Sequence, residues 1–175
     1  MNTKNTHLIA ALLVAFGFAA RLFEHPANVA PIGALALFAG IYLPKRAGLV
    51  IPLVALFLSD TLIGFYDWKM MAAVYGSFAL MGAIGLSIRK QKSIPRMIGG
   101  TLLGSVLFYL ITNTAVWAFG TMYPHTLTGL GQSLWMAVPF FRNSMIGDVF
   151  YMMLFVSSME ATHAFSRRAV RVSVE

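Results

Sequence analysis

Long apolar runs are the feature of this sequence that most limits how the chain can fold. Hydrophobic residues make up 58% of the 175 residues, and charged residues make up 11%. Ordinary soluble domains carry about 25% charged residues. Several runs approach the roughly 20 residues that cross a bilayer as a helix. The sequence therefore predicts an integral membrane protein that contacts the lipid bilayer, and it argues against a water-soluble globule.

Charged residues and Pro or Gly breaks divide the chain into six predicted transmembrane helices. The predicted spans are about 7–23, 27–43, 47–65, 70–88, 97–119 and 144–165. The segment 120–143 combines Pro and Gly residues with the apolar run 134–141, which favours a re-entrant or interfacial element before the last helix. No repeat or linker interrupts the chain. We expect one all-α membrane domain over residues 1–175.

Lysine and arginine are distributed unequally between the two sets of loops. Of the 13 Lys and Arg residues, only Arg21, Lys69 and Arg142 lie outside if the N-terminus is cytoplasmic. This asymmetry follows the positive-inside rule and predicts two cytoplasmic termini. The net charge of +7 then belongs to cytoplasmic loops, and nucleic acid is not expected as a partner. Lys4 and the apolar run 8–20 also resemble a cleavable secretory signal, which would leave five spans.

Polar residues gather in the outer half of the predicted bundle. Asp60, Asn113 and Asp148 fall inside spans, with Asp148 about one turn into the sixth. Such groups usually face the bundle interior, a partner or a water-filled cavity. Tyr109, Asn113 and Trp117 share one helix face, on which a flat ligand can stack. We expect an outward-facing binding site formed by Arg21, Glu24, His25, Asn28, Asp60, Tyr109, Asn113, Trp117, Arg142, Asn143 and Asp148.

The charged residues of this site allow more than one interpretation. In a structural network, the two arginines neutralise Asp60 and Asp148. In a binding site, Arg21 and Arg142 hold an anionic group while the acids accept hydrogen bonds from the ligand. A second function class is an intramembrane enzyme that uses Asp60 and Asp148 as acid and base. No cofactor or metal is expected, since Glu160 and His163 lack a third ligand in the sequence.

A stripe of small residues marks the first helix. Ala11, Ala15 and Ala19 recur at four-residue spacing, which allows another helix to approach closely. The stripe predicts a docking face for a partner helix. A third function class is therefore a non-catalytic membrane subunit or assembly factor that uses this face and has no ligand pocket.

Four segments carry a family resemblance over nearly the whole chain: His25–Asn28, Pro31–Ala34, Leu58–Asp60 and Phe140–Asp148. They resemble an uncharacterised bacterial inner-membrane family. Its layout in turn is similar to the substrate-binding S-components of energy-coupling-factor (ECF) vitamin transporters.

The resemblance to S-components implies a six-helix bundle with a site for a small nutrient, such as a vitamin, a modified base or a related micronutrient. It also implies an Ala-rich motif on the first helix that docks on a transmembrane coupling subunit driven by two ATPases. The expected function is capture of a nutrient for uptake across the bacterial inner membrane.

Overall fold

The fold consists of six helices and connecting loops. A computed structural model describes residues 3–22 and 30–172, with side chains described at 8–9, 11–22 and 30–162, and it contains no strand over these residues. The helices are α1 (Thr3–Leu22), α2 (Ile32–Tyr42), α3 (Lys45–Ile63), α4 (Trp68–Ile88), α5 (Ile94–Phe119) and α6 (Leu127–Val172). The prediction of an all-α fold with six helices is confirmed.

Three helices have the length and composition of a membrane span. In the part of the chain that the structure describes, these are α3, α4 and α5. By contrast, α2 has only 11 residues, which give it a length of about 17 Å. This helix is too short to cross a hydrocarbon core of about 30 Å, so the predicted span 27–43 is wrong for its described part. Residues 27–29 lie outside the described residues.

The largest difference from the predicted boundaries is at α6. This helix begins at Leu127, far before the predicted start at residue 144, and it continues through Pro139. A separate re-entrant or interfacial element over 120–143 is therefore wrong, because only 120–126 connects α5 to α6. Proline removes one main-chain donor and usually bends or ends a helix. Here the helix continues because its first turns are held against α5.

The short helix α2 forms the centre of the bundle. Every residue from Ile32 to Ile41 is buried, and α2 contacts all five other helices. Its sequence is apolar on all sides, as an enclosed helix requires. At its C-terminal end, Nη2 of Arg89 donates to the carbonyl oxygen of Leu43 at 2.9 Å. A cation at this end also interacts favourably with the helix dipole.

Glycines allow α2 and α4 to approach closely. A Cβ atom at Gly40 would overlap the carbonyl oxygen of Gly82 and lie 3.0 Å from Cα of Gly85. A Cβ atom at Gly85 would in turn overlap the carbonyl oxygen of Leu37. The obstructing atoms belong to the main chain and cannot move aside as a flexible side chain can. The contact therefore requires glycine on both helices.

We expect Gly40→Ala to lower the free energy of unfolding by about 1–3 kcal/mol, the usual cost of overpacking. The matched control is Gly99→Ala, because a Cβ atom at exposed Gly99 meets nothing within 4 Å. The control should be neutral or stabilising, since alanine favours a helix over glycine by about 1 kcal/mol. Thermal unfolding of the two purified variants in detergent measures the change in stability of each. Equal midpoints for the two variants would contradict the packing argument.

Candidate functional site

The first polar cluster joins the ends of α1 and α3 to α4. Nη1 of Arg21 donates to Oδ1 of Asp60 at 2.7 Å and to the carbonyl oxygen of Leu56 at 3.2 Å. The same nitrogen donates to the hydroxyl of Ser59. The hydroxyl of Tyr75 donates to Oδ2 of Asp60 at 2.7 Å. We call Arg21, Ser59, Asp60 and Tyr75 the Arg21 cluster.

Burial differs sharply within the Arg21 cluster. Asp60 is 1% exposed, whereas the side chain of Arg21 is 19% exposed. All hydrogen bonds of the guanidinium group to described residues use Nη1, so Nε and Nη2 have no acceptor in the described part of the chain. The ion pair thus neutralises the buried carboxylate through one nitrogen of a partly exposed guanidinium group.

Tyr66 in the α3–α4 connection lies close to this cluster. Burial raises the pKa of its phenol, the Asp60 carboxylate raises it further, and the Arg21 guanidinium lowers it. The phenol of Tyr66 is therefore within electrostatic range of both charges.

Asp148 belongs to a second cluster at the start of α2. Its Oδ1 accepts from the main-chain N–H of Ala34 at 3.2 Å, and its Oδ2 accepts from the hydroxyl of Ser105 at 2.8 Å. Pro31 precedes α2 and provides no side-chain cap, so α6 supplies the capping carboxylate instead. Glycine at position 33 is required because a Cβ atom there would overlap the Asp148 carboxylate.

The carboxylates of Asp60 and Asp148 lie in separate clusters. Because α6 begins at Leu127, Asp148 lies about 30 Å along it, so its predicted place about one turn into the helix is wrong. On α4, Tyr75 bonds to Asp60, while Met81 lies beside Gly33 near Asp148. These two positions are about 9 Å apart along the helix. Among the described residues, Asp60 and Asp148 share no hydrogen-bond partner.

The predicted aromatic face of α5 contacts the segment that begins α6. The hydroxyl of Tyr109 donates to the carbonyl oxygen of Leu134 at 2.6 Å, and Nε1 of Trp117 donates to that of Pro124 at 3.0 Å. The side-chain amide of Asn113 donates to the carbonyl oxygen of Tyr109 at 2.8 Å. The bond of the Asn113 amide lies within α5, but the carbonyl oxygen of Asn113 accepts from the hydroxyl of Ser133 on α6 at 2.9 Å. The contacts of α5 with Leu134 and Ser133 hold the first turns of α6 and explain its early start.

Comparison with known proteins places the chain in a family. Residues 1–170 match DUF6580, a family of unknown function. The chain belongs to this family. The expected membership of an uncharacterised family is thereby confirmed. No curated protein and no solved structure matches the chain, so the similarity to S-components stays a prediction for this DUF6580 protein.

The remaining predicted residues of the DUF6580 chain have different environments. Arg142 is exposed on α6, and Asn143 is half-buried. The predicted site residues Glu24, His25 and Asn28 lie outside the described residues.

On α1, the small-residue stripe mostly faces away from the bundle. Ala11 and Ala15 are exposed and Ala19 is half-buried, while Leu13 and Gly17 face inward. Ala11 and Ala15 of the stripe therefore do not pack inside the bundle. In the part of the chain that the structure describes, no group of three His, Cys, Asp or Glu side chains could hold a metal ion.

Sequence reasoning missed two side-chain partners of the buried acids, Tyr75 and Ser105, and the contact of Ser59 with Arg21. Hydroxyl residues are common in apolar helices, and no spacing links Tyr75 to Asp60 or Ser105 to Asp148. The adjacency of Ser59 to Asp60 was the one local signal, since neighbouring polar residues in an apolar run indicate a shared polar environment.

We expect Asp148→Leu to lower the free energy of unfolding by about 1–3 kcal/mol, because the N–H of Ala34 loses its acceptor. Asp148→Asn should cost less, since its carbonyl oxygen still accepts from Ala34 and its amide can donate to Ser105. Thermal unfolding in detergent compares the two variants. A larger loss for Asn than for Leu would contradict the capping role.

Proposed function

We propose that this protein is an integral membrane protein that binds a small nutrient for uptake. The membrane location is supported by apolar side chains on the outside of the bundle. The hydrophobic windows of α4 and α5 are only 22% and 17% buried, and Leu62, Trp135 and Phe150 are each more than half exposed. Soluble monomers rarely expose apolar patches of this extent, whereas lipid-facing helices require them.

Membrane integration can be tested directly. Alkaline carbonate washing of membranes from cells that express the full chain should leave the protein in the pellet, because lipid-facing helices resist extraction while peripheral proteins are released. Mild detergent should then solubilise it. Release by carbonate alone would contradict the membrane location and the uptake function with it.

The single observation that carries the binding function is the incomplete use of Arg21. A guanidinium group presents its donors as a planar fork suited to carboxylate or phosphate. Arg21 uses one nitrogen to neutralise Asp60 and leaves its other donors without a partner in the described chain. We infer that the ligand places an anionic or strongly polar group here, with Tyr66 and Tyr75 beside it.

The other predicted site residues take supporting roles in this proposal. Glu24, His25 and Asn28 follow Arg21 closely in the sequence, and in this proposal they contact the ligand. Asp148 holds the start of α2 in position. The α5–α6 hairpin, with Trp117, supplies aromatic surface at the same end of the bundle.

The docking face on α1 supports the coupling part of the proposal. Because Leu13 and Gly17 turn inward, Ala11 and Ala15 remain free to contact another helix. We propose that a transmembrane coupling subunit docks here and that its associated ATPases drive release of the nutrient. Small residues on this face would let the two helix backbones approach and slide.

We expect Arg21→Gln to abolish binding or weaken it by about tenfold or more, because a charge-assisted hydrogen bond is lost. Native mass spectrometry of the purified wild-type protein identifies the co-purified small molecule, and the same measurement on the variant shows its loss. The matched control is Arg96→Gln at the opposite end of the bundle, where the arginine hydrogen bonds to Gln91.

Arg21→Lys separates charge from geometry, since lysine keeps the charge without the planar fork. We expect weakened binding in a folded protein. Binding of the small molecule by Arg21→Gln at the wild-type level would contradict the assigned site.

A further inference from the structure

An apolar groove of about 400 Å³ lies between α4 and α5. Ala73 lines it from α4, and the α5 side is lined by Leu110, Ile111, Thr114, Ala115, Ala118 and Phe119. Gly76 continues this face of α4 one turn beyond Ala73, and a Cβ atom there would meet nothing within 4 Å. Small residues on both helices thus leave space for this groove at the bundle surface.

The ammonium group of Lys69 lies at one end of this groove. Lys69, Ala73 and Gly76 lie on the same face of α4. The ammonium group of Lys69 lies 5.2 Å from the ring centroid of Phe119, which lines the groove, and 5.9 Å from that of Trp68. Both rings are more than half exposed. Cation–π contacts of this kind hold the ammonium group beside the groove.

The acidic residue two positions before Lys69 is engaged in capping its helix. Asp67 caps α4 by accepting hydrogen bonds from the main-chain N–H groups of Lys69 and Met70 at 3.0 and 3.2 Å. The ammonium group of Lys69 points instead toward Phe119. The groove end therefore offers a cation next to hydrocarbon surface, which complements an amphiphile with an anionic headgroup.

We propose that the α4–α5 groove binds one acyl chain of a phospholipid whose phosphate contacts Lys69. From Lys69 to Leu80 this face of α4 measures about 16 Å. That length is about half of a 30 Å hydrocarbon core, the depth of one leaflet. The lipid site rests on the membrane location proposed above, and it is independent of ligand binding at the Arg21 cluster.

The experiment fills the groove and removes its cation separately. Delipidated full-length protein in mild detergent is titrated with dioleoylphosphatidylglycerol or with dioleoylglycerol, which lacks the phosphate, and native mass spectrometry counts the adducts. Ala73→Leu fills the groove, and Ala72→Leu is its control because Ala72 is exposed on the same helix and does not line the groove. Lys69→Gln removes the cation, with exposed Lys90→Gln as its control.

We expect one dioleoylphosphatidylglycerol adduct on the wild-type protein and on both controls. Ala73→Leu should lose it, and Lys69→Gln should weaken it about fivefold, the effect of one basic side chain near an anionic lipid. Lys69→Gln should leave dioleoylglycerol binding unchanged.

Adduct levels on Ala73→Leu equal to those on the wild-type protein would overturn the lipid site. Wild-type phosphatidylglycerol binding by Lys69→Gln would overturn it too. Arg21→Gln should keep the lipid adduct. If Arg21→Gln loses the nutrient and retains the lipid adduct, the two sites are separate. Release of the protein by carbonate washing would contradict both sites, because both depend on the membrane location.

Discussion

The enclosed helix α2 imposes the strongest constraint on this structure, because both of its ends lie inside the bundle. A helix end leaves main-chain donors or acceptors without partners, and burial without hydrogen bonds is costly. Asp148 accepts from the N-terminal end, and Arg89 donates at the C-terminal end. The Arg89 cation also has the sign that the dipole of α2 favours at a C-terminal end. Two helices distant in sequence, α4 and α6, are thereby fixed relative to α2.

The same constraint separates the roles of the two buried acids. Both oxygens of Asp148 accept from protein groups within the bundle core, and the residue is 6% exposed. Both carboxylate oxygens of Asp60 also accept hydrogen bonds, but its partner Arg21 is partly exposed at the end of α1. A ligand can therefore add to the Arg21 cluster without breaking the contacts that hold the fold, whereas a ligand at Asp148 would have to replace the cap of α2.

The sequence predicted the number of helices and the positions of α3, α4 and α5, since long apolar runs bounded by charges depend only on local composition. It failed at α6, where Pro139 and nearby glycines favoured a break. Tertiary contacts from Tyr109 and Trp117 overrode that local preference. It also identified Asp60 and Asp148 as special, because acids within apolar helices are rare. Their partners lie on other helices, so no sequence spacing connects them.

Burial of the Asp60 carboxylate without a partner would cost free energy in an apolar bundle. If its only task were to join α1 to α3, an apolar contact of similar volume would serve as well, because buried ion pairs seldom add net stability over hydrophobic packing. The ion pair also leaves Arg21 with donors that no described residue accepts. Hydrogen-bonding capacity beyond what the described residues use, at a partly exposed end of the bundle, supports the proposed ligand site. This excess is what distinguishes the Arg21 cluster from the fully satisfied cap at Asp148.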